Sequence, residues 1–215
     1  MPSLSPVVAL LLALNLAVEL AKLMLPPTAL LPFALWPLGG PFLVGFAEGR
    51  PIEASFEPWQ LLSYGFLHGS LPHLGFNMLG LWMFGTALER TLGSGPFLRY
   101  FIGCVLGAGV LQLFVASQAA DPYPTVGASG GLYGLLLAYG LLFPRHRILL
   151  LFPPIPLPAR AAVLVFALIE LVLGVSGTAS GIAHFAHLGG LITGFLILQY
   201  WRGRLPIKPR RLLLR

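Results

Sequence analysis

Six apolar stretches, interrupted by few charges, divide this 215-residue chain near residues 6–25, 73–89, 97–117, 126–143, 160–176 and 182–201. Each is at or near the roughly 20 residues that a helix needs to cross a bilayer. The chain is 57% hydrophobic and 9% charged, where a soluble domain carries roughly 25% charged residues. So few charges cannot cover a surface facing water, and the lipid bilayer is the expected solvent. The expected fold class is all-α: a polytopic membrane protein with six transmembrane helices. A single membrane-embedded domain is expected over 1–215, with a long interfacial first loop over 26–72 and a basic cytoplasmic tail over 202–215.

The net charge of +6 sits almost wholly at segment ends and in the tail, so it reports topology and calls for no nucleic acid. Arg90 and Arg99 fall between the second and third stretches, Arg145, Arg147 and Arg160 between the fourth and fifth, and six more cations after Trp201. The opposite side has only Arg50, among Glu48, Glu53, Glu57 and Asp121. The positive-inside rule then puts both termini in the cytoplasm. The first stretch lacks a basic n-region and carries Glu19 and Lys22, so it reads as a true span rather than a cleaved signal. Those two charges are expected to pair or to reach the interface. No Arg-rich, Ser-rich leader precedes it, which makes a prokaryotic plasma membrane the expected location.

The 26–56 connection is long and apolar, but Pro32, Pro37, Pro41, Gly39 and Gly40 forbid a regular span there. Trp36 and its aromatic neighbours suit the headgroup region. Cys104 is the single cysteine, so no intramolecular disulfide forms, and it is expected to pack as a small hydrophobe.

Four polar side chains fall where membrane helices should be apolar: His73 and Asn77, Ser129, and His187. His73 and Asn77 are four residues apart and share a helical face, as do Ser129 and Tyr133. Gly190 and Gly194 lie on the His187 face, while Gly127, Gly130, Gly131 and Gly134 crowd around Ser129. Small residues at this spacing let helix backbones approach closely. The fourth and sixth spans can therefore bring Ser129 and His187 to hydrogen-bond distance, which a serine nucleophile requires for activation.

Other hydrolytic chemistries lack their parts. Paired aspartates need two, and Asp121 is the only one. No glutamate follows any of the five histidines, so H-E-x-x-H is absent and no metal is expected. A Ser-His-Asp triad has no acid that the sequence places near either partner. A Ser-His dyad without cofactors is what remains. Glu170, in mid-span, reads first as a paired or protonated structural residue and second as part of a gate; His184 reads as an interfacial or cavity residue.

These motifs, in this order, resemble the rhomboid intramembrane serine proteases over roughly residues 57–198. The G-x-S-G of that family matches Gly127–Gly130, and its A-H-x-x-G-x-x-x-G helix matches Ala186, His187, Gly190 and Gly194. Its H-x-x-x-N helix matches His73 to Asn77, and its E-R-x-x-G matches Glu89 to Gly93. The resemblance implies Ser129 as nucleophile and His187 as base, with His73, Asn77 and the Ser129 backbone N–H holding the oxyanion. It implies supporting roles for Tyr133, beside the catalytic histidine, and for His68, which would hold water near the site. One departure is Gln60, where the family's Trp-Arg pair has arginine.

The function so implied is cleavage of single-pass transmembrane protein substrates near the outer membrane face. Their helices must unwind locally before attack, and the fifth span would form a lateral gate. Water would come through a cavity open to the outside and lined by Ser63, His68 and the histidine pair, with Ser129 about 5 Å into its helix. A pseudoenzyme that binds membrane helices would lack the dyad residues. A small proton-coupled transporter would leave the G-x-S-G context without a purpose.

Overall fold

The computed structural model describes residues 4–119, 123–150, 154–177 and 182–209. Helix α1 spans Pro6–Met24. It opens on a proline, whose fixed φ and missing N–H suit a first helical turn. Its free N–H groups are met from elsewhere: the Glu89 carboxylate accepts from Val7 N at 3.0 Å and Val8 N at 2.9 Å. Ser5 Oγ donates to the same carboxylate at 2.5 Å and Ser94 Oγ at 2.7 Å. A buried anion at the positive end of a helix is electrostatically favourable. The acid of the E-R-x-x-G motif thus ties the start of α1 to the turn after the second helical run.

Between α1 and that run lies the long connection. A 3-10 turn over Pro27–Phe33 leads to strands β1 (Phe42–Ala47) and β2 (Arg50–Ala54), which pair antiparallel. A short α2 (Gln60–Ser63) and a 3-10 turn over Tyr64–Phe66 follow. A second antiparallel hairpin, β3 (Arg147–Leu149) with β4 (Pro156–Pro158), precedes the helix that begins at Ala159. The all-α expectation is corrected to this extent, since connecting backbone that makes no helix must pair its polar groups with something.

Gln60 holds the first connection together. It is 1% exposed and accepts from Trp36 N at 3.1 Å. Its amide donates to Pro32 O at 3.1 Å and Ser55 O at 3.0 Å. Glutamine at position 60 therefore ties the loop together through its own amide.

The second helical run is α3 (Leu71–Gly80), a π-helical segment over Leu81–Gly85, and α4 (Thr86–Leu92). Ser70 caps it by accepting from His73 N at 3.3 Å. Gly93 stops it at φ +83, a conformation glycine adopts without penalty. Next come α5 (Ser94–Ala116), α6 (Ser129–Leu142), α7 (Ala159–Ser176) and α8 (His184–Trp201).

Three of these helices, α1, α5 and α7, are long and apolar enough to cross a membrane by length and composition. α6 is apolar but has only 14 residues. It begins three residues later than expected because Gly127 sits at φ +129, outside the helical region.

α8 packs against both α5 and α6, and these three form the centre. Tyr100, Phe101 and Cys104 of α5 meet Leu135 and Ala138 of α6 and Leu198 of α8 in one core cluster. Cys104 is buried and unpaired, as a small hydrophobe should be. A smaller cluster joins Leu136, Ala162, Val163 and Leu191 across α6, α7 and α8. α1 and α7 lie outside and expose large apolar side chains, among them Leu20, Leu23, Leu164, Leu168 and Val175. An apolar surface of that extent suits lipid.

Candidate active site

The site forms where the first turns of α6 and α8 face one another. Two glycines set the distance: a Cβ built on Gly190 would lie 1.9 Å from the carbonyl oxygen of Gly130. Only hydrogen fits there, so the backbones touch. Gly194 serves a different contact from the one expected. A Cβ at Gly194 would lie 2.4 Å from Tyr100 Oη on α5, rather than against α6.

Ser129 is the first residue of α6. This corrects the expected depth of about 5 Å inside the helix. It also means that the Ser129 N–H belongs to the first turn, whose donors have no helical carbonyl behind them. His187 Nε2 lies 2.8 Å from Ser129 Oγ. Its ring is stacked on Tyr133, with centroids 4.3 Å apart and planes 10° apart. The structure thus brings Ser129, His187 and Tyr133 together.

His73 approaches from α3. A Cβ at Gly127 would lie 2.8 Å from His73 Nε2 and 3.6 Å from Ser129 Oγ. Glycine is therefore required at 127 twice over, for its φ and for the space that the imidazole fills. Asn77 is 3% exposed and donates one amide hydrogen to His73 O at 2.8 Å. A carboxamide has two donors, so one is left to aim elsewhere.

A cavity of about 1850 Å³ opens over these groups. Its wall includes Ser70, His73, Asn77, Ser129, Tyr133 and His187, with Phe76, Leu79 and Met83 on one side and Val165, Phe166 and Ile169 of α7 on another. Neither Ser63 nor His68 lines it, which corrects the expected wall. Ser63 Oγ instead donates to Phe33 O at 2.7 Å. His68 is 2% exposed and packs edge-on against His73, ring centroids 5.0 Å apart. Burial first, then the nearby His73 and Lys22, pull His68 down to about 4 from an ordinary 6.5. Lys22 itself pairs with Glu19 at 3.0 Å, as expected, and donates to His68 O at 2.5 Å.

Two contributors were not legible in the sequence. Tyr64 accepts from Gly127 N at 2.9 Å through its carbonyl, and its hydroxyl donates to Val105 O at 2.7 Å. With the paired backbones of Leu35 and Thr125, this fixes the segment entering α6. The second is Glu170 of α7, whose Oε2 lies 2.6 Å from His184 Nδ1 and 2.9 Å from His187 Nδ1. Tyr133 donates its hydroxyl to Oε1. The sequence reading placed no acid near the serine or histidine, and the structure corrects it. Glu170 stands 17 residues before His187 on another helix, a separation that no periodicity connects.

Glu170, His184 and His187 also have the donor types of a metal site, all within 4.8 Å of one another. Their closest atoms, however, are 2.6 and 2.9 Å apart. Ligands around tetrahedral zinc stand about 3.3 Å from each other, given Zn–N bonds of about 2.0 Å. The spacing found here is that of hydrogen bonds and ion pairs.

The model of the Rhomboid domain matches residues 55–203. This chain belongs to the rhomboid family. Rhomboid protease GluP of Bacillus subtilis (strain 168) is 38% identical over 156 residues, 71% of this chain and 28% of the relative. Rhomboid protein 1, mitochondrial, of Saccharomyces cerevisiae is 34% identical over 150 residues, 66% of this chain and 41% of the relative. Rhomboid protease GlpG of Klebsiella pneumoniae (strain 342) is 32% identical over 157 residues, 72% of this chain and 52% of the relative. The rhomboid chain described here therefore spans between about a quarter and a half of those relatives' lengths. Family and apolar helices together make it a multi-pass membrane protein.

Proposed function

We propose that this rhomboid is an intramembrane serine endopeptidase that cleaves transmembrane segments of single-pass membrane proteins near the outer membrane face. The observation that carries this reading is the 2.8 Å separation of Ser129 Oγ and His187 Nε2 at a cavity walled by apolar helices. An unassisted serine hydroxyl is too weak a nucleophile, and a base at this distance supplies the missing activation.

The steps balance on two side chains. Ser129 Oγ attacks the scissile carbonyl carbon while its proton passes to His187 Nε2. The carbonyl oxygen takes the negative charge, facing the Ser129 N–H and the donors of His73 and Asn77. Collapse breaks the C–N bond, and Nε2 gives its proton to the leaving nitrogen. Water then attacks the acyl-serine, passes a proton to Nε2, and collapse returns that proton to Ser129 Oγ. Each oxyanion donor lies at a helix start or on a capped helix, so little reorganisation accompanies charge development.

The length of α6 supports delivery of water from outside. Fourteen residues make a helix about 21 Å long, against a hydrocarbon thickness of about 30 Å. With Arg145 and Arg147 at its cytoplasmic end, the Ser129 end sits below the outer boundary and the cavity connects it to water. A substrate helix would enter between α3 and α7, whose apolar side chains flank the cavity. The six-span arrangement with both termini cytoplasmic follows from the same charge distribution.

The test is labelling of the detergent-folded protein by a fluorophosphonate, with the modified residue mapped. Label on Ser129 that is lost in Ser129→Ala and His187→Ala is the expected result. A folded native chain that takes no label would overturn the reading and favour a helix-binding role without hydrolysis.

A further inference from the structure

An acid inside an apolar helix is costly unless it is paired. Glu170 is 6% exposed and is met on both carboxylate oxygens. Tyr133 donates to Oε1, and His184 Nδ1 lies 2.6 Å from Oε2. These partners fix the carboxylate from α6 and α8 at once. The same Oε2 is 2.9 Å from His187 Nδ1, the ring nitrogen that faces away from Ser129. Among the described residues no aligned hydrogen-bond acceptor meets that Nδ1, so the contact with Glu170 is an electrostatic one.

The neutral imidazole has one hydrogen, and it acts as a base toward Ser129 only when Nε2 is bare. A fixed carboxylate beside Nδ1 favours the form with the hydrogen there, because the N–H dipole then points its positive end toward the anion. As His187 takes the serine proton it becomes a cation, and the same carboxylate lies beside the new charge. Tyr133 links the two effects, since it stacks on the His187 ring and hydrogen-bonds Glu170.

We propose that Glu170 is a positioning residue for His187, holding it as the Nδ1–H tautomer and balancing the imidazolium that forms during acyl transfer. The unit at this site is then Ser129, His187 and Glu170, with Tyr133 and His184 bracing the acid. The proposal rests on the hydrolase reading given above. Glu170 keeps its negative charge throughout, and the only proton that moves is the one passed through Nε2.

The test compares the native chain with Glu170→Gln, which keeps the size and an acceptor oxygen but removes the charge, and with Glu170→Asp. The rate of fluorophosphonate labelling at Ser129 is expected to fall in Glu170→Gln by at least about 10-fold, and by up to the roughly 10⁴-fold lost when an acid that sets a catalytic histidine's tautomer becomes an amide. Its melting temperature should stay near that of the native chain, and Glu170→Asp should recover part of the rate. Glu170→Gln labelled at the native rate would overturn the proposal.

A second measurement needs no variant. In the native chain labelled with ¹⁵N-histidine, the His187 resonances should report the Nδ1–H tautomer at neutral pH; an Nε2–H tautomer would overturn the proposal even if Glu170→Gln fails to fold. A folded native chain that takes no label at Ser129 overturns the hydrolase reading itself, and the inference falls with it, so the two failures are told apart.

Discussion

A side chain begun at Gly190 would overlap the carbonyl oxygen of Gly130, at 1.9 Å. That contact fixes how closely α8 approaches α6, and with it the distance between His187 and Ser129. Gly190→Ala is expected to push the helices apart. Overpacking of this kind costs about 1–3 kcal/mol, and labelling at Ser129 should fall steeply because the two partners separate. Thermal unfolding and labelling rates check both. Native values for each would contradict the contact.

Asn77 has one amide hydrogen free after its bond to His73 O. If that hydrogen meets the oxyanion, Asn77→Ala should lower peptide cleavage by about 100- to 1000-fold, the range for removing one such donor. The melting temperature should move little, since the bond lost is local to α3. Cleavage at full rate would show that the oxyanion is held elsewhere.

Glu89 takes four donors from the start of α1 and from Ser94. Glu89→Ala leaves two backbone N–H groups and two hydroxyls without it. Each hydrogen bond to a charged group contributes about 1.5–3 kcal/mol, so a loss of at least about 3 kcal/mol is expected. Equilibrium unfolding in mixed detergent micelles measures it. Limited proteolysis should locate the loosened region at α1.

Gln60 bonds two carbonyls and one N–H. Gln60→Arg can keep the carbonyls but has no acceptor for Trp36 N. Hydrogen exchange at Trp36 should therefore quicken in Gln60→Arg, and more in Gln60→Ala. Stability is expected to drop by about 1–3 kcal/mol, the cost of an unmet buried donor.

His68 is held neutral, with its folded value lowered to about 4 from 6.5. As pH falls below about 6.5 the unfolded chain takes up a proton that the folded chain refuses. Its contribution to stability is therefore whole above pH 6.5 and is lost on the way down to about 4. His68→Gln should flatten unfolding free energy across that window. An unchanged pH dependence would show that His68 takes up its proton alike in the folded and unfolded chains.

Much of this rhomboid was legible before any coordinates. Apolar length and the placement of arginines indicated a membrane bundle, because lipid tolerates few charges and the bias of cations sets orientation. Ser129 could be paired with Tyr133 and with His187 from spacing, since i and i+4 share a helical face and glycines mark where helices touch, whereas Tyr133 beside His187 was implied by the family resemblance. The two hairpins could not be read from composition: their pairing satisfies connecting backbone between helices whose positions are set first by packing. Ser63 and His68 were misplaced for a related reason, as a loop's proximity to a site says nothing about which way its side chains turn.

Glu170 marks the boundary between the two kinds of information. The sequence alone determined that an acid in mid-span must be paired or protonated, because the cost of burying a bare carboxylate is too high, and it left a place in a gate as the second reading. Only the tertiary structure decided that the partners are Tyr133, His184 and His187. Local periodicity relates residues on one helix, whereas the rotation of α7 against α6 and α8 is fixed by close packing of side chains contributed by all three.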